Sequence, residues 1–540
     1  MKRCSLLFLG FFFLSIKTQA QQTKKSLLYD LVMQKHQSIK VFYKAELFRE
    51  NLGFEAKNYR DILSKKTAFF LDKKAVAKIF SNKPAAISLS FPSNQGNKWI
   101  VELVQQDINT GFNFDFGTID IKGKQNKNSE DQGVHYRGFV KGDSTSFASF
   151  SIFANGQVMG IFCNKEGNFN IAKLPDTETG YMLYNSKDLQ VPMNFECSTS
   201  DNAVISPSKN KEQAAFSLTA VVPPPTCRKI NFYWEAGYKL FHNNFNDDIT
   251  ATKNYLSGVF NQVATMYQNE GILVELSNCY VWTCVDPYTE TTASLALDGF
   301  KARWVALGNT FKGDFAMFID GSPTNNGGIS FLTDNDLCTR NYVFGYCNVY
   351  GAYKTVPVYS WDVHVLTHES GHLFGAHHTH WCGWNTGPLG TCGAIDNCFT
   401  LEPFDNCNTC FVTNNAINNT TGFAGTVMSY CHLKSNVGIN LANGFGPLPG
   451  AVIRNNISLS VCAGRVTKWT GSLSTDWENT ANWSCGILPD ATTEVIIEGG
   501  LKYYPVIKKT AICKSIKQLP GSSLKVNAGA ALDITGLPNQ

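Results

Sequence analysis

The sequence predicts an α/β core flanked on both sides by β structure, and three observations carry that expectation. Between 229 and 374, strand-length apolar runs alternate with segments of helical spacing. Before that span, short stretches alternate apolar and polar residues with period two, and after about Gly464 the helical spacing disappears. A chain of 540 residues also exceeds one ordinary core. The expected division is 1–20, 21–215, 216–464 and 465–540.

The chain opens MKRCSLLFLGFFFLSIKTQA: Lys2 and Arg3, an apolar run over 6–16, then Thr18 and Ala20 as small residues at a cleavage point. This reads as a secretory signal peptide over 1–20. Cys4 precedes the apolar run, so it is not placed as a lipidated cysteine, and the run is too short to span a bilayer. No later segment has some twenty apolar residues in a row, so a secreted protein without a membrane span is expected. From 21 to 215 the pattern is mainly β: Ala148, Phe150 and Ile152 share one side, Asn155-Gly156 makes a turn, and 158–162 reads as the returning strand. SPSKNKEQ at 206–213, followed by Pro223, Pro224 and Pro225, reads as an exposed, cuttable linker.

In the segment 216–464, 229–234 reads as a strand. Over 248–268, Tyr255, Val259, Val263, Met266 and Tyr267 recur at helical spacing. A strand at 272–276, a helix at 291–307, a strand at 315–319 and a helix at 361–374 follow, the last stopped by Gly375. Alternation of this kind implies an α/β core. The tail from 465 to 540 is rich in Thr, Ser, Gly and β-branched residues and reads as a small all-β module, with a strand at 494–497. Trp469, Trp477 and Trp483 fit burial in a thin β core; the rival is a platform for carbohydrate at a cell surface.

Only 17% of residues are charged, against 43% hydrophobic, and the net charge of +4 is spread along the chain without basic blocks. Nucleic acid is therefore excluded as an expected partner. Of seventeen cysteines, sixteen follow Cys4, an even number that suits disulfides in an oxidising compartment. Cys382, Cys392, Cys398, Cys407, Cys410 and Cys431 cluster within fifty residues, which predicts a stapled, loop-rich region of unspecified connectivity.

The chemistry centres on HESGHLFGAHH, residues 368–378. Residues four apart share a helical face, so His368 and His372 can hold one ion, while Glu369 can reach a water on it without being a ligand. Gly375 lets the chain leave the helix through a left-handed turn that returns His378 to the same ion. Three neutral imidazoles with one open position describe a catalytic rather than a structural zinc. In a chain with ten histidines the whole pattern arises by accident in only ~1 in 10⁵ sequences of this length, so a chance cluster is rejected. His364 lies one turn earlier on the same face and is expected to pack or to hydrogen-bond to a ligand; His377 and His380 flank His378 without the ligand spacing.

HLFGAHHTHWC and, fifty residues beyond His378, GTVMSYCH together resemble the metzincin zinc metallopeptidases, and within them the reprolysin-like branch of secreted bacterial enzymes. The resemblance covers roughly 216–464. It implies a twisted mixed sheet with an active-site helix, one catalytic zinc, and peptide or protein substrates added as a strand beside a sheet edge, here GGISFL at 327–332. It also implies that Met428 lies in a turn beneath the metal. Tyr430 has the spacing of a tyrosine that steadies the oxyanion in other metzincin branches; the rival role is a buried structural tyrosine. Thr379 departs from the aspartate common in reprolysins. The segment 21–215 resembles a propeptide, in which Cys197 either occupies the open zinc position as a cysteine switch or pairs with Cys163. Calcium has only Asp396 and Asp405 as loop acids and no oxygen-ligand pattern. A zymogen of a zinc endopeptidase is the leading expectation; the alternative is an inactive scaffold serving as an adhesin or binding protein, which would have no reason to keep Glu369.

Overall fold

Two large sheets dominate the described residues: the first lies wholly within 21–215, whereas the second draws strands from both sides of 215. The computed structural model describes residues 25–50, 59, 61–92, 98–107, 115–129, 133–174, 177–190, 197–199, 226–288, 292–322, 327–333, 337–349, 358–404, 407–415, 424–519 and 521–536. The signal segment 1–20 and the linker 206–225 lie outside the described residues.

The N-terminal sheet has ten strands among the described residues and is antiparallel apart from the pairing of Tyr43–Ala45 with Ala86–Pro92. Its central strands Phe147–Phe153 and Val158–Asn164 are buried along their whole length, because helix Ile249–Asn269 packs on one face while other strands of the same sheet and helix Lys73–Asn82 fill the other. Two helices in this region, Leu27–Ser38 and Lys73–Asn82, are not foreseen by the strand pattern.

The middle sheet is built from β1 (Asp115–Ile119), β2 (Gln125–Ser129), β3 (Arg228–Ala236), β4 (Leu273–Trp282), β5 (Phe315–Asp320), β6 (Gly328–Ser330) and β7 (Phe344–Asn348). Their spatial order is β6-β7-β5-β3-β4-β1-β2, parallel except for β6 on β7 and β1 on β2. Helices α1 (Ile249–Asn269), α2 (Ala293–Ala306) and α3 (Tyr359–Leu373) supply its connections, the mixed α/β arrangement expected of alternating periods. Asp248 starts α1 by accepting from the amides of Thr250 and Ala251 at 2.9 and 3.0 Å. The β1–β2 hairpin comes from within 21–215 yet completes the middle sheet beside β4. Behind it, Phe147, Phe153, Met159 and Ile161 share one core with Tyr255, Val259 and Val263 of α1. Gly258 makes that approach close, since a Cβ there would meet Met159 Sδ at 2.5 Å. Arg137, buried on the N-terminal sheet, donates to Asn261 at 2.8 Å and to Gln268 at 3.0 Å on the same helix.

A further helix, α4 (Pro447–Leu459), precedes the tail, with Pro447 in its first turn, where proline is favoured. The tail is β structure, yet its first strand β8 (Gly464–Trp469) pairs with the start of β3 and continues through β9 (Thr493–Ile497) and β10 (Ser515–Gln518). Cys227–Cys485 and a buried Lys229, ion-paired to Glu275 at 3.0 Å and to Glu494, tie the tail to the middle sheet. Trp469, Trp477 and Trp483 are packed edge to face or stacked in the core of the tail, each at most 3% exposed, so they offer no platform to a sugar.

The cysteines divide differently from a fully paired set. Among the described residues Cys227–Cys485, Cys338–Cys462, Cys382–Cys410 and Cys398–Cys431 are bonded, while eight cysteines lie outside these disulfides. Cys163, Cys279, Cys347 and Cys513 lie buried in strands, where cysteine acts as a small apolar side chain. Cys163 and Cys197 are both free, so the pairing considered for them is absent. Among the described residues no helix is long and apolar enough to cross a membrane.

Candidate metal centre

Helix α3 is buried at every position, and its last turn sets up the site. The chain turns at Gly375, whose φ of 86° is costly for any residue with a Cβ, while the amides of Gly375 and Ala376 cap the carbonyls of His372 and Gly371 at 2.8 and 3.0 Å. That reversal brings His378 back to the helix face that carries His368 and His372. The Nε2 of His372 lies 3.2 Å from that of His368 and 3.1 Å from that of His378.

These short separations suit donors converging on one cation. His368 Nδ1 is 2.7 Å from the Val427 carbonyl and His372 Nδ1 is 2.7 Å from the Ala376 carbonyl. A carbonyl only accepts, so both Nδ1 atoms carry the proton and both Nε2 atoms present lone pairs. Lone pairs gathered this closely repel unless a cation lies among them. Burial, and then the neighbouring His372 and His378, hold His368 well below its usual value, which keeps it a neutral donor. Cys197 Sγ stands 3.6 Å from His372 Nε2, and the four donor atoms lie within 4.8 Å of one another. Tetrahedral zinc with N at 2.0–2.1 Å and S at 2.3 Å separates two nitrogens by roughly 3.3 Å and a nitrogen from a sulfur by roughly 3.6 Å, so the donor set fits the ion. Burial pushes the Cys197 thiol up to about 12, so a thiolate here needs an adjoining cation.

Glu369 is fully buried beside this cluster, and burial raises its carboxyl to about 7. The Cys197 thiol and the hydroxyls of Ser330 and Thr199 stand around it, but neither carboxylate oxygen has a partner in hydrogen-bond geometry. Only glycine fits opposite: a Cβ on Gly328 would lie 2.3 Å from Glu369 Oε1. Gly328 begins β6, the edge of the middle sheet, at the place expected for 327–332. The N-terminal segment occupies that edge. Cys197 pairs with Gly328 in parallel, Ser198 N donates to Gly328 O at 2.9 Å, and Thr199 Oγ1 accepts from Ser330 N at 2.9 Å.

Met428 is fully buried beneath α3, where a Cβ on Gly371 would approach its sulfur to 2.7 Å. Its carbonyl accepts from the amide of Thr379 at 3.1 Å, joining the turn to the residue after the third histidine. The hydroxyl of Tyr430 donates to the Cys197 carbonyl at 2.7 Å. His364 approaches the Val427 carbonyl at 3.0 Å and is not among the convergent donors. His377 stacks on Trp381 with ring centroids 3.7 Å apart. Asp396 lies in a second group of potential ligands, but its companions Cys398 and Cys431 form a disulfide, and Asp396 instead accepts from the amide of Cys398 at 3.0 Å. Asp405 lies outside the described residues.

Two contributors have no spacing signal in the sequence. Glu402 reaches the centre through the stapled loop, its Oε1 3.2 Å from His378 Nδ1 and 2.9 Å from His380 Nε2. Thr199 reaches it from the N-terminal segment. Neither follows a periodic pattern, because tertiary packing rather than helix geometry brings them in.

Residues 228–441 match the reprolysin model described as metallo-peptidase family M12, and this span contains all three histidines, Glu369, Met428 and Tyr430. Residues 468–538 match a model described only as a domain of unknown function. Among solved structures, metalloproteinase-II from Bacteroides fragilis is 9% identical over 63% of this chain and 89% of that one, with a TM-score of 0.32, an overlap too loose to carry an argument.

Proposed function

We propose that this chain, whose middle matches metallo-peptidase family M12, is an exported zinc-dependent endopeptidase kept latent by its own N-terminal segment. One observation carries the reading: three imidazole lone pairs converge beside a buried carboxylate that has no hydrogen-bond partner. Zinc, when bound, supplies a Lewis acid that polarises a carbonyl and makes water acidic near neutral pH. His368, His372 and His378 would hold it.

Glu369 would take the proton of the attacking water and return it to the leaving amine, a task suited to a carboxyl poised near 7. Strand β6 would hold an extended peptide by main-chain hydrogen bonds, the specificity-neutral part of strand addition. Tyr430 has two successive partners in this account. In the latent chain its hydroxyl holds the Cys197 carbonyl; once that segment leaves, it faces the oxygen of the bond under attack. Cys197 would fill the open ligand position while 197–199 covers β6, so segment 21–215 acts as propeptide. Four disulfides suit an oxidising compartment.

The test is hydrolysis of casein by processed protein. A chelator should abolish cleavage and added zinc should restore it. No cleavage with zinc present would return the chain to the binding-scaffold class, and cleavage indifferent to the chelator would overturn the zinc chemistry.

A further inference from the structure

The three converging imidazoles are not oriented alike. His368 and His372 give their Nδ1 protons to main-chain carbonyls, of Val427 and Ala376, both fixed by α3 and the turns that pack on it. His378, the one that lies beyond the helix, has a carboxylate instead: Glu402 Oε1 at 3.2 Å from its Nδ1. An anion on the far nitrogen of an imidazole makes the near nitrogen a stronger donor and fixes the ring plane.

Glu402 is itself held firmly. Its amide donates to the His380 carbonyl at 3.1 Å and its carbonyl accepts from Cys382 N at 2.9 Å, so its main chain is paired across 380–382. Cys382 is bonded to Cys410, closing the loop that carries Glu402. The same Oε1 takes His380 Nε2 at 2.9 Å, and the His380 ring stacks on that of His378 with centroids 4.9 Å apart and 11° between planes. The donor position of His378 therefore depends on a loop, whereas the other two depend on a helix.

We infer that Glu402 is a positioning residue for the metal centre, acting through His378, so that the loop closed by Cys382–Cys410 sets how tightly zinc is held. The inference rests on the reading of His368, His372 and His378 as the ligands. Carboxylates in this position typically contribute a factor of 10–100 in metal affinity.

The experiment measures zinc affinity of the full chain by competition with a chromogenic chelator, for wild type, Glu402→Gln, Glu402→Asp and His372→Ala. Glu402→Gln should weaken binding about 10- to 100-fold while the unfolding midpoint of the metal-free protein stays put, and Glu402→Asp should recover part of the loss. Cobalt substituted for zinc gives a second readout, since a changed His378 donor shifts the visible spectrum and a merely structural role does not. Affinity for Glu402→Gln within about threefold of wild type, or an unshifted cobalt spectrum, overturns the role of Glu402. If wild type takes up no zinc, or His372→Ala binds as well as wild type, the ligand reading itself fails instead.

Discussion

Helix α3 and the stapled loop after it serve the same centre by opposite means. On α3, positions four apart project together whatever surrounds them, so two donors and Glu369 are placed by backbone geometry alone. Among its described residues the loop from 376 to 431 has only two short paired strands, Gly393–Asp396 and Phe411–Asn414, and short turns; it is held by Cys382–Cys410, Cys398–Cys431 and main-chain bonds such as those of Glu402. The difference teaches where to expect loss and where to expect tuning. Changes on the helix should remove the chemistry, whereas changes in the loop should weaken what the helix begins.

The largest effect belongs to the helix. Glu369→Gln keeps the shape of the base but cannot take a proton, so kcat of the processed protein on a peptide should fall by about 10²–10⁴ with zinc content unchanged. A kcat within a few-fold of wild type would break the comparison at its stronger side. Next comes the loop: replacing Cys382 and Cys410 by serine opens a closure spanning 28 residues and should lower stability by roughly 2–4 kcal/mol in a urea titration, without abolishing zinc uptake. Complete loss of zinc would show that the loop does more than tune. Gly371→Ala sharpens the contrast from beneath the helix, because its new methyl group would press on Met428; thermal melts should report a cost of about 1–3 kcal/mol.

The smallest effect lies away from the centre, at the end of β5. Burial, opposed by Lys239, raises the Asp320 carboxyl to about 6. The native state then binds its proton more tightly than the unfolded chain, so this contribution is present below about pH 4 and is lost as pH rises through about 6. Asp320→Asn should flatten that fall, worth on the order of 2 kcal/mol, in stability measured from pH 4 to 7. Parallel curves for the two proteins would refute the assignment.

Local geometry also decided what could be read from the sequence. The strands and helices between 228 and 320 lie near the expected ones, apart from β4, which runs six residues past 276, because the Asp248 cap and the apolar periods are local signals. The convergence of His368, His372 and His378 follows from a helix and one left-handed turn. Pairing across the chain was not legible: nothing in 115–129 announces that it will extend the middle sheet, nor in 464–469 that it will pair with Arg228 and Lys229. Glu402 and Thr199 escaped for the same reason. The cysteine count pointed to disulfides, and four form, but it could not single out the thiols buried in strands, where cysteine packs as a small apolar side chain.

The central claim is that three imidazoles and, in the latent chain, one thiolate surround a single zinc. X-ray absorption at the zinc edge on unprocessed protein tests it most directly. One zinc per chain is expected, with three nitrogen neighbours at about 2.0–2.1 Å and one sulfur at about 2.3 Å, the sulfur vanishing in Cys197→Ala. A zinc shell without sulfur in the unprocessed chain, or protein that binds no zinc, would contradict it.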